Sequence, residues 1–296
     1  MAHIQLPMLI SLIVCATQFA CQAPETGTTL PDSGSSKPGG GGAAGSGACL
    51  SYDSVSDDSL IFYLHELMQT AYRPIDVELD QGGTLNRYAT ARALMFTEVE
   101  RRRGERNEMV VECVYTGRTA PQPSNEEPDR DDMICERLWP KSKLFEDRSS
   151  ALYSHQDADL HHLYPTVPGA ESLRGDLDFG DVADERNMDY APSFRGVDRS
   201  GRDVFEVRRD RQGDVARALF YMSVRWGLEI PKEYADGLRR WHELDPVSDL
   251  ESLRNTEVQR IQGNRNPFVD CPELASRIRA FGSFRPYDLN GNLPNP

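Results

Sequence analysis

Three short pieces of sequence between residues 133 and 175 decide the fold. They are MICERLW (133–139), DLHHLYP (159–165) and TVPGAESLRG (166–175). The first is mostly apolar and is stopped by Pro140, which predicts a short strand. The second predicts another short strand, and the third predicts a turn followed by a short helix. The predicted order in this part of the chain is strand, strand, helix.

Helical patterns surround these pieces on both sides. The segments with apolar residues at helical spacing are 55–71, 84–102, 211–226, 231–243 and 246–263. Ser56 and Thr84 stand where an N-cap is expected for the first two helices. The helix at 211–226 carries one apolar stripe, made of Val215, Leu219, Met222 and Trp226.

Strand patterns are few and short. Residues 109–115 alternate and are rich in β-branched side chains, which predicts a strand, whereas 119–132 is rich in proline and acids and predicts a loop. No internal repeat is visible. Helices, then short strands, then helices predict an α+β domain that is mostly helical.

The N-terminus has the pattern of an export signal. Residues 7–20 are nearly all apolar but too short to span a bilayer, as in a signal peptide, so we expect a signal at 1–21. Cys21 follows Ala20, as at a lipoprotein cleavage site, and predicts lipid attachment as one possibility. Residues 22–47 are rich in Gly, Ser and Pro and predict a flexible tether. A folded domain at 48–283 and a tail at 284–296 complete the predicted organisation, in a protein that is periplasmic, secreted or lipid-anchored.

The charge balance limits the classes of partner. The chain has 296 residues, with 33 Lys and Arg against 47 Asp and Glu, and a formal net charge of -14. Its isoelectric point is near 4.9. A protein that coats nucleic acid would be basic, so that class is excluded. A local site in which a metal ion bridges carboxylates and phosphate is not excluded.

Four cysteines lie in the predicted domain: Cys49, Cys113, Cys135 and Cys271. An even number in an exported chain predicts two disulfides, and three pairings are open. A structural zinc site is not expected, because no CxxC or CxxH spacing occurs.

Several polar residues lie in the strand–strand–helix segment. Glu136 stands inside an otherwise apolar strand, where a carboxylate needs a partner or a metal ion. Arg137 follows it, on the opposite face of the strand. Adjacent His161 and His162 would also point to opposite faces, so at most one of them faces a given site. A structural role for such a histidine pair is the alternative.

More charged residues follow at helix and turn spacing: Glu171, Arg174, Asp176 and Asp178. Glu171 and Arg174 are three residues apart and could share a helix face. Carboxylates that gather in one cleft would bind a hard cation such as Mg²⁺ or Ca²⁺. Acids that are only solvated in a loop are the alternative.

A set of motifs in a fixed order resembles the bacterial endonuclease I family. The motifs are ECVYTG, ERLWPKS, DLHHLYPTVPGAESLRGDLDFGDV, RQGDVARALFYM, WHxxDPVS and QGNRNPFVD (262–270). The resemblance runs from about residue 55 to 280. It implies an exported, metal-dependent and largely non-specific endonuclease that hydrolyses phosphodiester bonds of DNA and RNA at a ββα-metal (His-Me finger) site. It also implies a monomer.

The resemblance extends to the candidate active site, with departures at three positions. The family's first strand usually reads Glu-His-Val-Trp-Pro, with the Glu on the metal and the His as general base. Here it reads Glu136, Arg137, Leu138, Trp139, Pro140. The family's metal-binding Asn corresponds to Glu171, its following Arg to Arg174, and a second common Asn to Asp176. The implied metal ligands for Mg²⁺ (or Mn²⁺ or Ca²⁺) are thus Glu136, Glu171 and Asp176.

The changes at Glu171 and Arg137 have different chemical consequences. Glu171 in place of Asn keeps an oxygen donor and adds a negative charge. Arg137 in place of His cannot accept a proton from water, and losing a general base costs roughly 10²- to 10⁴-fold in rate. Arg137 and Arg174 could instead contact phosphate. His161 or His162 could supply the base.

Two hypotheses therefore follow from the sequence. In the first, the protein is a metal-dependent nuclease with DNA or RNA as its substrate. In the second, it is an inactive or altered homologue that acts as a binding or structural protein. The negative charge slightly favours the second, because it repels phosphate over a Debye length of about 8 Å. A different exported hydrolase has little support, since neither GxSxG nor HExxH occurs.

Overall fold

A computed structural model of the chain describes residues 49, 52–75, 86–145 and 150–282. The predicted signal peptide at 1–21, the tether at 22–47, the tail at 284–296 and the expected N-cap at Thr84 lie outside the described residues. Within those residues, helices and small sheets combine, which confirms the predicted α+β class.

The predicted helices are all present, with shifted ends. The helices of the described residues are Asp57–Ala71 (α1), Arg87–Leu94 (α2), Ala151–Asp157 (α3), Pro168–Arg174 (α4), Gln212–Trp226 (α5), Lys232–Leu244 (α6), Asp249–Gln262 (α7), Pro267–Asp270 (α8) and Leu274–Arg277 (α9). A π-helical turn continues α2 over Met95–Val99. The side chain of Asn86 caps α2 by accepting a hydrogen bond from the backbone N–H of Ala89.

Helix α5 is the centre of the core. Every one of its residues is buried, not only the predicted apolar stripe. It packs against α1, α6, α8 and the 3-10 helix Leu160–His162. A helix buried on all sides must also bury its charged residues, so Asp214, Arg217 and Arg225 need partners inside the protein. Arg217, for example, donates to both carboxylate oxygens of Glu251, at 2.7 and 2.6 Å.

Three small sheets flank these helices. Strands Arg102–Arg103 (β1), Met109–Glu112 (β2) and Thr119–Pro121 (β3) form an antiparallel sheet. Ile134–Arg137 (β4) pairs antiparallel with Leu163–Thr166 (β5), so that Glu136 lies opposite Tyr164. The third sheet has the order β6, β9, β8, β7, with strands Asp178–Phe179 (β6), Asp184–Asn187 (β7), Phe194–Val197 (β8) and Asp203–Glu206 (β9).

Two local predictions were wrong in part. The segment 119–132 begins with a strand rather than a loop, because Thr119–Pro121 pairs with β2 and completes its hydrogen bonds. The segment 159–165 is not one strand, since Leu160–His162 forms a 3-10 helix before β5 begins. The carboxylate of Asp159 accepts a hydrogen bond from the backbone N–H of His161, which stabilises that turn.

The structure contains one disulfide among the described cysteines instead of two. Cys49 is bonded to Cys271, whereas Cys113 and Cys135 are buried free thiols. Strand β5 separates them: Cys135 pairs with Pro165, and the carbonyl of Pro165 accepts a hydrogen bond from Val114 on the other side. Cys113 and Cys135 thus lie on opposite sides of β5, which is too far apart for a disulfide.

Within the part of the chain that the structure describes, no helix has both the length and the apolar character needed to cross a membrane.

Candidate active site

Strands β4 and β5 and helix α4 form the strand–strand–helix unit that the sequence predicted. Glu136 lies in the middle of β4, opposite Tyr164 of β5. Helix α4 begins directly after β5, with Pro168 in its first turn, where proline is tolerated. The unit brings Glu136 of the strand together with Glu171 and Arg174 of the helix.

Glu136 is buried, and only part of its carboxylate is paired. Its side chain is 6% exposed, and Oε1 lies 3.5 Å from Nη1 of Arg174. Its second oxygen, Oε2, has no hydrogen bond of good geometry to any described residue. Burial raises the pKa of Glu136 to about 7, while Arg174 and the hydroxyl of Tyr115 act to lower it and the charge of Glu171 acts to raise it.

Arg174 is the ion-pair partner of Glu136, and it also binds the backbone of the strand. Nη1 donates to the carbonyl oxygen of Arg137 at 3.0 Å, and Nη2 donates to that of Leu138 at 2.7 Å. Its guanidinium carbon lies 4.5 Å from the centre of the Phe179 ring. The side chain is only 2% exposed. These contacts hold the end of β4 against α4 and turn Arg174 inward rather than towards a phosphate.

Arg137 is committed to two internal partners. Its Nε lies 2.6 Å from Oδ1 of Asp157. Its guanidinium carbon lies 3.6 Å from the centre of the Tyr88 ring, a cation–π contact. The ion pair and the ring contact hold the guanidinium in place against Asp157 and Tyr88. The structure therefore places Arg137 as a packing residue at the edge of the site.

His161 is buried in a different polar cluster. Its Nε2 lies 3.3 Å from the carbonyl oxygen of Asn264, and its ring centre is 4.1 Å from that of Tyr221. Burial holds its pKa well below the ordinary value, so the ring is neutral. These contacts tie His161 to α5 and to the chain after α7.

His162 lies beside Arg137 and has no exposed surface. Burial, followed by the positive charge of Arg137, lowers the pKa of His162 to about 3. A neutral ring can accept a proton, but an imidazole with this pKa is a weak base. The two histidines thus occupy different surroundings, as expected for adjacent residues, although in a 3-10 helix rather than a strand.

Of the other two predicted metal ligands, the structure brings one to Glu136. Glu171 is half-buried, and its charge acts directly on the Glu136 carboxyl. Asp176 is exposed in the turn after α4. Within the described residues, three metal-donor side chains converge only at Cys49, Cys271 and Glu273, and the two cysteines form the disulfide. Asp176 is therefore not assembled with Glu136 and Glu171 as a third ligand.

Tyr115 is a member of the site that the sequence did not single out. It is fully buried, and its hydroxyl faces the Glu136 carboxylate. The motif ECVYTG placed it at the end of a predicted strand, with nothing to indicate which way it points. A fully buried tyrosine hydroxyl needs a polar partner, and this was the one available signal.

Comparison with known proteins assigns the chain to a family. The family model described as Endonuclease I matches residues 69–273. The chain is similar to an extracellular ribonuclease of Bacillus subtilis, with 38% identity over 138 residues, which cover 40% of this chain and 46% of that protein. It is also similar to an extracellular deoxyribonuclease of Aeromonas hydrophila, with 28% identity over 118 residues, or 40% of this chain and 51% of that protein.

A third relative is Endonuclease-1 of Buchnera aphidicola from Acyrthosiphon pisum, 25% identical over 135 residues, which cover 46% of this chain and 52% of that protein. The chain thus spans about half the length of the relatives it matches. The family model, in contrast, covers most of the described domain and includes the whole strand–strand–helix unit. The chain belongs to the endonuclease I family.

Proposed function

We propose that this protein is an exported nuclease that hydrolyses phosphodiester bonds of DNA or RNA with little or no sequence preference. Family membership supports a nuclease, and the names of the relatives include both a ribonuclease and a deoxyribonuclease. The observation that carries the proposal is the buried carboxylate of Glu136, which the charge of the Glu171 carboxylate reaches and whose Oε2 has no hydrogen bond of good geometry among the described residues.

The residues at the site fit a divalent cation. Mg²⁺ is usually held by one or two carboxylates together with water and substrate phosphate, and Glu136 and Glu171 supply such a pair. A buried carboxylate oxygen without a hydrogen bond of good geometry, such as Oε2 of Glu136, gains from a further partner such as a cation. We assign Glu136 and Glu171 as the ligands of Mg²⁺, with Mn²⁺ or Ca²⁺ as alternatives, and leave out Asp176. The cation would polarise the scissile phosphate and ease the deprotonation of water.

The other residues of the site act on position and proton transfer. Arg174 binds two carbonyls of the β4 end and so fixes the orientation of Glu136. Of the two histidines, His162 is the candidate base, because it lies beside Arg137 at the edge of the site. Its burial and its weak basicity make proton abstraction slow. The proposed enzyme therefore cleaves more slowly than a relative with histidine at the position of Arg137.

Export is part of the proposal. The relatives are named extracellular or periplasmic nucleases. The disulfide between Cys49 and Cys271 agrees with folding in an oxidising compartment. The apolar segment 7–20 would direct export, and a lipid on Cys21 would attach the domain to a membrane through residues 22–47. We propose that the domain acts as a monomer.

One observation favours a second function, a catalytically inactive homologue that binds a partner. Arg137 stands where the family has its general base, and it is fixed by Asp157 and Tyr88. No other imidazole that water can reach takes its place among the described residues, because all five described histidines are buried. This protein would keep the fold and bind nucleic acid or a surface partner without cleaving it.

Cleavage of supercoiled plasmid and of a labelled RNA separates the two functions. The purified protein is assayed with Mg²⁺, Mn²⁺, Ca²⁺ or EDTA, next to Glu136→Gln and to Asp131→Asn, which changes an exposed acid of the same charge. We expect metal-dependent cleavage that falls about 10²-fold or more in Glu136→Gln and stays unchanged in Asp131→Asn. A folded protein that cleaves neither substrate with any metal would support the binding function, and cleavage unaffected by Glu136→Gln would refute the site.

A further inference from the structure

The hydroxyl of Tyr115, a fully buried residue, faces the Glu136 carboxylate. Neither this hydroxyl nor Oε2 of Glu136 has a hydrogen bond of good geometry to any described atom. The two groups are close enough for each to affect the other's ionisation. A buried donor and a buried acceptor that lack other partners gain from a small movement that joins them.

Ser193 holds the backbone of Tyr115 through a hydrogen bond. The Ser193 hydroxyl donates to the carbonyl oxygen of Tyr115 at 2.6 Å and accepts a hydrogen bond from the backbone N–H of Arg208 at 2.9 Å. Two residues after Tyr115, Gly117 has a φ of +73°, which a residue with a side chain rarely adopts, so the chain can turn back at once. The position of Tyr115 is therefore set by the third sheet and by this turn.

Aromatic packing fixes the ring of Tyr115 as well. Its centre lies 4.8 Å from that of Phe205 and 6.3 Å from that of Phe179. Phe179 also lies under the guanidinium of Arg174. Strands β6 and β9 carry these two phenylalanines, so one sheet supports both groups that approach Glu136. Locked rotamers of this kind hold a functional group in a single orientation.

We propose that Tyr115 is a positioning residue for Glu136: its hydroxyl donates to Oε2 while Arg174 engages Oε1, and together they orient the carboxylate to bind a divalent cation with Glu171. Each carboxylate oxygen has two lone pairs, so an oxygen that accepts one hydrogen bond keeps a second lone pair for the cation. The inference rests on the proposed function and adds a residue that supports the metal ligand. Partners of this kind strengthen metal binding without touching the metal.

Direct measurement of Mn²⁺ binding tests the proposal. The full chain and two variants are titrated with Mn²⁺ by calorimetry, and the electron paramagnetic resonance spectrum of the bound ion is recorded. Tyr115→Phe removes the hydroxyl and keeps the ring. Tyr221→Phe is the matched control, because it removes another buried tyrosine hydroxyl, one that donates to Asp159 at 2.9 Å.

We expect Tyr115→Phe to weaken Mn²⁺ binding about 10- to 100-fold and to change the spectrum. Tyr221→Phe should lower stability and leave both readouts unchanged. If the wild type binds Mn²⁺ and Tyr115→Phe binds it equally well, the inference is wrong while the proposed function stands. If the wild type itself binds no Mn²⁺, both fail.

If Tyr115→Phe does not fold, Ser193→Ala decides in its place: weaker binding, by about threefold or more, supports the proposal, and an unchanged affinity overturns it.

Discussion

Two buried carboxylates, Asp159 and Glu136, differ in how fully other groups of the protein pair with their oxygens. Asp159 accepts four hydrogen bonds, from the Tyr221 hydroxyl at 2.9 Å, the Trp226 indole at 3.0 Å, the Gln262 amide at 2.8 Å and the backbone N–H of His161 at 3.1 Å. Glu136 has one ion pair at 3.5 Å and a second oxygen without a hydrogen bond of good geometry. Burial raises the pKa of both groups.

The difference separates a structural acid from a reactive one. The donors around Asp159 replace the water that its carboxylate loses on folding, so this residue joins α5, the 3-10 helix and the end of α7. Glu136 also loses water on folding, but protein donors replace only part of that water, which leaves the carboxylate ready to bind a ligand. Sites that react or bind often carry such unmet interactions, at a cost in stability.

The largest expected effect comes from supplying a stronger base than His162 near Glu136. In the wild type the carboxylate of Asp157 pairs with Arg137. In Arg137→His this carboxylate would accept a hydrogen bond from the new imidazole and orient it. We expect metal-dependent plasmid cleavage to rise about 10²- to 10⁴-fold in initial rate. Arg137→Lys is the control and should give no gain. A folded Arg137→His protein that cleaves no faster would show that the missing histidine does not limit the reaction.

The second effect tests Asp159 as the structural member of the pair. Asp159→Asn puts an amide among groups that all donate, so at least two buried donors lose their acceptor. We expect the free energy of unfolding in urea to fall by about 3 to 5 kcal/mol. Cleavage per folded molecule should stay the same. A variant that keeps its stability but loses cleavage would reverse the roles assigned to the two carboxylates.

The smallest expected effect is a pH dependence of stability that belongs to Glu136. Its pKa rises from the ordinary 4.5 to about 7 on folding, so between these values the folded state holds a proton that the unfolded chain has lost. Stability therefore falls as pH rises through this range, by up to about 3 kcal/mol. Urea unfolding in EDTA at pH 5 and pH 8 measures it. Glu136→Gln should lack this part of the pH slope, and parallel slopes for variant and wild type would contradict the assignment.

The sequence predicted the fold well where the pattern is local. The helices 55–71 and 211–226 were found because apolar residues repeat at helical spacing over many turns. Strand β4 was found as a short apolar run, and β5 only as the end of the predicted strand 159–165. The third sheet was missed. Its strands are two to four residues long, and they pair through contacts that no local pattern records.

The candidate site was predictable only in part. Glu136 stood out because a carboxylate in an apolar strand requires a partner, and Glu171 and Arg174 followed from helical spacing and from the resemblance to the family. Arg137 was expected to be available for phosphate, but Asp157 and Tyr88, 20 residues after it and 49 residues before it, take up its charge. Partners so far apart in the chain could not be read from local spacing.

The sequence by itself determined the class of the domain, its family and the residue types at the site, because hydrophobic periodicity and motif order are properties of the chain alone. Only the tertiary structure decided which buried acid is satisfied and which is left partly unpaired, which cysteines are joined, and that Tyr115 faces Glu136. These outcomes depend on contacts between residues far apart in the chain. A hydrogen bond requires its two atoms to lie within about 3 Å of each other, and only the folded backbone sets such distances.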